Sequence, residues 1–78
     1  MRKGFMFIDE NIKLDFPMVN PEFKEYIDGM DKAFDEGNQV KFDYYWEAIG
    51  AFAKNEYHVG NITSEQMHAV WERYGTGG

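Results

Sequence analysis

Ile62-Thr63-Ser64-Glu65-Gln66-Met67 decides the reading of this chain, because one short stretch carries several independent signals for a helix start. Thr63 stands at the N-cap, where its hydroxyl accepts from the backbone N–H of Gln66. The Gln66 side chain can return to the Thr63 N–H, completing a capping box, and Ile62 with Met67 forms the hydrophobic staple around it. Met67, Val70, Trp71 and Tyr74 follow at the three-to-four spacing of one buried stripe. Gly75 then occupies the place of a left-handed residue just past a helix end. A helix over 63–74 results, with 75–78 as a frayed tail.

Upstream, Gly60-Asn61 separates this helix from a longer apolar periodicity. Phe42, Tyr45, Trp46, Ile49, Phe52, Ala53 and Tyr57 describe a helix over 39–58, and the small residues Gly50, Ala51 and Ala53 allow a neighbour close approach. Before it, Asn20-Pro21 supplies an N-cap and a proline at the first helical position. Phe23, Tyr26, Ile27, Met30, Ala33 and Phe34 form the apolar face of a helix over 20–36, which Gly37-Asn38 ends. Gly29 inside this run either permits a close helix contact or is simply tolerated. The connections are short enough to make consecutive helices antiparallel neighbours.

Residues 1–16 are of a different kind. Phe5-Met6-Phe7-Ile8 is β-prone, and Ile12-Lys13-Leu14-Asp15-Phe16 alternates apolar with polar. Asp9-Glu10-Asn11 between them reads as a three-residue hairpin loop with Asn11 left-handed. A β-hairpin is therefore the first expectation, and an extended arm across the helices the alternative. The fold class is mainly α, or α+β if the hairpin forms: hairpin or arm packed on an antiparallel three-helix bundle, with residues 1–78 as a single domain.

Composition agrees with a folded domain. The chain is 44% hydrophobic and 18% aromatic, far too rich for disorder despite a net charge of −6. Without cysteine it has no disulfides, thiolate zinc sites or cysteine nucleophile. Neither a signal-peptide core nor a membrane span is visible, and a cytoplasmic location is expected. Twelve of the fourteen acids fall in residues 15–72 beside only four lysines. Such a body repels phosphate, so no direct nucleic-acid binding is expected.

The motifs that carry chemistry fail one by one. Placing Gly37 at the sixth position of a calcium loop puts Lys32 and Phe34 where oxygen ligands belong. Glu65-x-x-His68 occurs once, where a di-metal site needs two such pairs and further carboxylates. Ser64 opens a helix and lies in no nucleophile elbow. No catalytic residue, metal or cofactor is expected, and the chain is read as a non-enzyme.

What remains is surface. Tyr44-Tyr45-Trp46 are consecutive, about 100° apart around a helix, so they cannot all face one core. Tyr45 and Trp46 are expected inward and Tyr44 outward. Glu22, Glu25, Asp28, Asp35 and Glu36 line the polar side of the first helix, and Asp43 and Glu47 add a second acidic stripe. The expected function is a small protein-interaction domain, an adaptor, regulator or inhibitor, whose partner is another protein with a basic surface. The candidate contact residues are Tyr44, Glu22, Glu25, Asp28, Asp35, Glu36, Asp43 and Glu47. Two alternatives stand beside it: a structural module that forms a homodimer through its N-terminal segment, and an acidic nucleic-acid mimic that blocks a basic nucleic-acid-binding protein.

Overall fold

Each helix begins on a side chain that accepts a backbone N–H left over by the first turn. The computed structural model describes residues 6–77, and in it α1 spans Pro21–Glu36, α2 spans Gln39–His58 and α3 spans Ser64–Tyr74. Asn20 Oδ1 accepts from Glu22 N at 3.0 Å, Asn38 Oδ1 from Lys41 N at 3.2 Å, and Thr63 Oγ1 from Gln66 N at 3.1 Å. The box closes with Thr63 N donating to Gln66 Oε1 at 2.8 Å, and Ile62 and Met67 are both buried beside it. Gly37 and Gly75 end α1 and α3 with φ of 68° and 65°, conformations that a Cβ strains.

The middle helix organises the rest. Ring contacts of Phe34 with Phe42 at one end and of Phe23 and Tyr26 with Phe52 at the other lay α1 antiparallel on α2. On its other side α2 meets α3 through two reciprocal indole bonds. Trp71 Nε1 donates to Gly50 O at 3.0 Å, and Trp46 Nε1 donates to Tyr74 O at 2.8 Å. Gly50 and Ala53 are buried at this approach, whereas Ala51 is exposed. Phe23, Met30, Phe42, Ile49, Val70 and Tyr74 form the centre of the core, each under 2% exposed, and each such side chain contributes roughly 1.5–3 kcal/mol.

Two inward assignments on α2 change. Tyr57 is 40% exposed, and the inward place one residue earlier belongs to Glu56, only 2% exposed. Trp46 is 37% exposed, because its indole reaches sideways to cap α3 rather than inward to the core.

No strand forms among the described residues, so residues 6–19 are the extended arm and not the hairpin; residues 1–5, including Phe5, lie outside the described part. The turn at 9–12 does form, with Ile12 N donating to Asp9 O at 3.1 Å and Asn11 N to Asp9 Oδ1 at 3.1 Å. Asn11 is not left-handed, since no residue other than glycine has positive φ among the described residues. The segments flanking the turn do not pair because α3 takes their backbone groups. Asp9 N donates to Arg73 O at 2.8 Å, and Arg73 Nη1 donates to Ile12 O at 2.6 Å. The alternation read over 12–16 is real, since Ile12, Leu14 and Phe16 are partly covered and Lys13 and Asp15 exposed, but the cover comes from the helices. The tail is tied further than its composition suggests, with Thr76 N donating to Trp71 O at 2.9 Å.

Between α1 and α3 the link is polar. Tyr74 Oη donates to Asp31 Oδ1 at 2.7 Å, and Arg73 Nη2 lies 3.3 Å from Asp31 Oδ2. Burial, and after it the bond to Asp31, pushes the Tyr74 hydroxyl well above the usual tyrosine value of 10.0. A folded-state value above the unfolded one means stability that is present below pH 10 and lost as pH rises beyond it. Urea midpoints should therefore fall as pH rises above about 10, the tyrosine reference value. Tyr74→Phe should lose about 1 kcal/mol at neutral pH and show a shallower alkaline fall.

Gly29 is explained by its neighbour. A Cβ there would stand 2.6 Å from Tyr45 Cε2 and 2.7 Å from Cζ, inside any tolerable contact. The Tyr45 ring cannot swing away freely, because Tyr26 and Tyr44 hold it edge-on with centroids at 5.0 and 5.1 Å. Overpacking of about 1–3 kcal/mol then outweighs the gain of up to about 1 kcal/mol in helix propensity. Gly29→Ala should destabilise by about 1 kcal/mol, yet become stabilising in a Tyr45→Ala background. Denaturant melts of the four proteins of that cycle measure the reversal of sign.

Candidate functional site

With α1 on one side and α3 on the other, α2 keeps one face bare. Val40, Tyr44, Glu47 and Ala51 recur at helical spacing and are all exposed, Val40 by 82% and Tyr44 by 65%. Val19 and Val59 are open as well, but Val40 and Tyr44 stand one turn apart on the same helix face and form one apolar patch.

Tyr44 is outward, as the consecutive aromatics require, but it is not loose. Its ring lies 5.1 Å from Tyr45 and 6.4 Å from Tyr26, centroid to centroid. The Tyr26 hydroxyl is held above its ordinary value, first by its hydrogen bond with Tyr44 and by Tyr44's charge, then by burial and by Glu22. Tyr44 is thus an outward aromatic ring braced by Tyr45 and Tyr26.

The eight candidate residues do not assemble into one acidic surface. Tyr44 meets Tyr26 ring to ring at 6.4 Å, and the Glu22 charge acts on the Tyr26 hydroxyl. Asp43 and Glu47 come together one helical turn apart, in a surface hollow of about 380 Å³ that they share with Phe42 and Trp46. Glu25 and Asp28 border another depression, mixed with Lys24, Lys32 and Tyr45, and Asp28 is paired to Lys24 at 2.8 Å. Glu36 lies with Lys32 and Lys41, and Asp35 with Glu10, Asp31 and Arg73. The acidity of α1 is therefore interrupted by lysines, while that of α2 flanks aromatic rings.

Ser64 and His68 do not form a nucleophile and base. Ser64 Oγ and His68 Nδ1 are 3.5 Å apart, but Nδ1 lies 2.8 Å from the Ser64 carbonyl and the imidazole packs edge-on to Trp71 at 5.3 Å. Among the described residues no group of three or more His, Asp and Glu side chains is placed to hold a metal ion. In the same residues no helix is long and apolar enough to cross a membrane.

Sequence reasoning passed over Val40 and the hollow around Trp46. The signal for Val40 was present: with Tyr44, Glu47 and Ala51 it marks a second stripe on the side of α2 opposite Ile49. The hollow had no local signal, because the Trp46 ring is placed by the Tyr74 carbonyl, 28 residues away. No protein-family model matches this chain, and no curated protein and no solved structure matches it.

Proposed function

We propose that this chain is a small non-enzymatic protein-interaction domain, an adaptor, regulator or inhibitor, that engages another protein through the outward face of α2. The observation that carries this reading is the exposure of Val40 and Tyr44, one turn apart and bordered by Asp43 and Glu47. A braced tyrosine gives large contact area with little rotamer freedom left to lose, which is why aromatic residues recur in interface hot spots. The acidic border and the net charge of −6 select and steer a partner with a basic surface. A chain without cysteine suits a reducing cytoplasm.

The two alternatives draw less support. Ile8, Leu14, Phe16 and Met18 of the arm pack on the chain's own core, so that of the described arm's large apolar side chains Phe7 and Val19 alone stand exposed to a second copy. Lys24, Lys32 and Lys41 break the acids of α1 into separate groups, unlike the regular charge of a nucleic-acid backbone.

Affinity capture from the source cells, comparing the wild-type chain with Val40→Glu/Tyr44→Ala, tests the proposal. Both positions are exposed, and the double variant should keep the helical circular dichroism of the wild type. The expected result is loss of the captured proteins by the double variant and their retention by a Glu65→Ala control on α3. Capture of the same proteins by all three chains contradicts it.

A further inference from the structure

We propose that the hollow lined by Phe42, Asp43, Trp46 and Glu47 receives a guanidinium group, an arginine side chain of the protein partner; this rests on the α2 face being the docking surface. Each lining residue restricts the occupant. Phe42 is 1% exposed and forms a fixed apolar floor. Trp46 has its indole N–H occupied by the Tyr74 carbonyl at 2.8 Å, so the ring is held in place and has only its π system to offer. An aromatic face attracts a cation.

Asp43 and Glu47, on successive turns at i and i+4, repel each other, and neither has a hydrogen bond or ion pair to another described residue. An anion is excluded by that pair, and a purely apolar occupant would strip water from the carboxylates without replacing its hydrogen bonds. A cation relieves the repulsion. Guanidinium fits better than ammonium, because its planar fork donates toward two carboxylates at once while stacking on an aromatic ring. The ammonium is a compact, strongly hydrated point charge.

Hexa-arginine, hexa-lysine and hexa-citrulline are the probes, titrated into the ¹⁵N-labelled wild-type chain at low salt and followed by NMR. Hexa-arginine should shift the Trp46 indole resonance and the amides of 42–47 saturably, while hexa-citrulline, isosteric but uncharged, should not. Asp43→Asn/Glu47→Gln should weaken hexa-arginine binding by about tenfold, the loss of charge-assisted contacts to both carboxylates. Asp15→Asn/Glu65→Gln removes the same charge from the arm and α3, away from α2, and should weaken it by less than about threefold, a general field effect alone. Equal weakening by the two pairs, shifts centred away from 42–47, or hexa-lysine binding as tightly as hexa-arginine would each overturn the assignment. Should these fail while Val40→Glu/Tyr44→Ala still abolishes capture, only the guanidinium site is lost. Should the hollow bind hexa-arginine while capture ignores that double variant, the docking reading falls and the site stands.

Discussion

Replacing Glu56 by alanine will remove about 3 kcal/mol of folding stability, because this side chain holds two junctions together from inside the core. Glu56 is 2% exposed, and its carboxylate accepts from Asn20 Nδ2 and Asn61 Nδ2, each at 3.1 Å. Asn20 is the N-cap of α1, and Asn61 lies in the turn between α2 and α3, its own N–H bonded to the Glu56 carbonyl at 2.9 Å. Truncation leaves two part-buried amides short of an acceptor and opens a void beneath the cap. Glu56→Gln should behave differently. Asn20 cannot turn its amide, since its Oδ1 accepts from Glu22 N, but Asn61 can rotate and accept from the new glutamine N–H. Its loss should be about 1 kcal/mol or less. Urea denaturation of both variants decides the matter; an alanine variant as stable as the glutamine variant would show that the bracket is not structural.

Arg73→Ala should cost about 2 kcal/mol and release the arm. The guanidinium is 14% exposed, donates to Ile12 O at 2.6 Å, and pairs with Asp31 at 3.3 Å. A charge-assisted bond to a carbonyl is worth about 1.5–3 kcal/mol, and the partly exposed ion pair adds at most about 1. Against these stands the Arg73 Nε donor, enclosed without a partner among the described residues, whose removal recovers part of the loss. Arg73→Lys should not restore the wild type, because one ammonium cannot serve both acceptors as the fork does. Hydrogen exchange reads the effect directly: amide protection at Asp9 and Ile12 should fall well before that of Ile49 and Ala53. Equal losses at all four would mean that the arm opens only with the whole fold and is not released by loss of Arg73.

The parts of this structure that were legible in the sequence are those determined within a few residues. Thr63 and Gln66 satisfy each other's backbone N–H groups, and Gly37 and Gly75 supply left-handed ends, so helix boundaries follow from local chemistry. The arm was harder. The alternation over 12–16 records that one side of an extended segment is covered, and says nothing of whether a strand or a helix does the covering. Arg73, 61 residues from Ile12, supplies the answer.

Tyr57 took the inward place of Glu56 in the sequence pattern for a related reason. Ile49 and Ala53 project the inward stripe onto position 56 as well as onto Tyr57, and hydrophobicity favours the tyrosine. Only the arrival of Asn20 and Asn61 from other parts of the chain makes the carboxylate the better occupant. Of the candidate surface, the outward Tyr44 followed from three consecutive aromatics on one helix. The division of the acids into separate groups followed only in part, since Lys24 meets Asp28 one turn on in the same helix, whereas Glu36 lies with Lys41 across the α1–α2 turn.

Photo-cross-linking in the source cells tests the central claim, that the outward face of α2 is where this chain meets its partner. A photoreactive residue placed in turn at Val40, Tyr44 and Glu47 should cross-link one common protein, and the same residue at Lys32 on α1 or Glu65 on α3 should not. Cross-links from Lys32 or Glu65 with none from the three α2 positions would contradict the account.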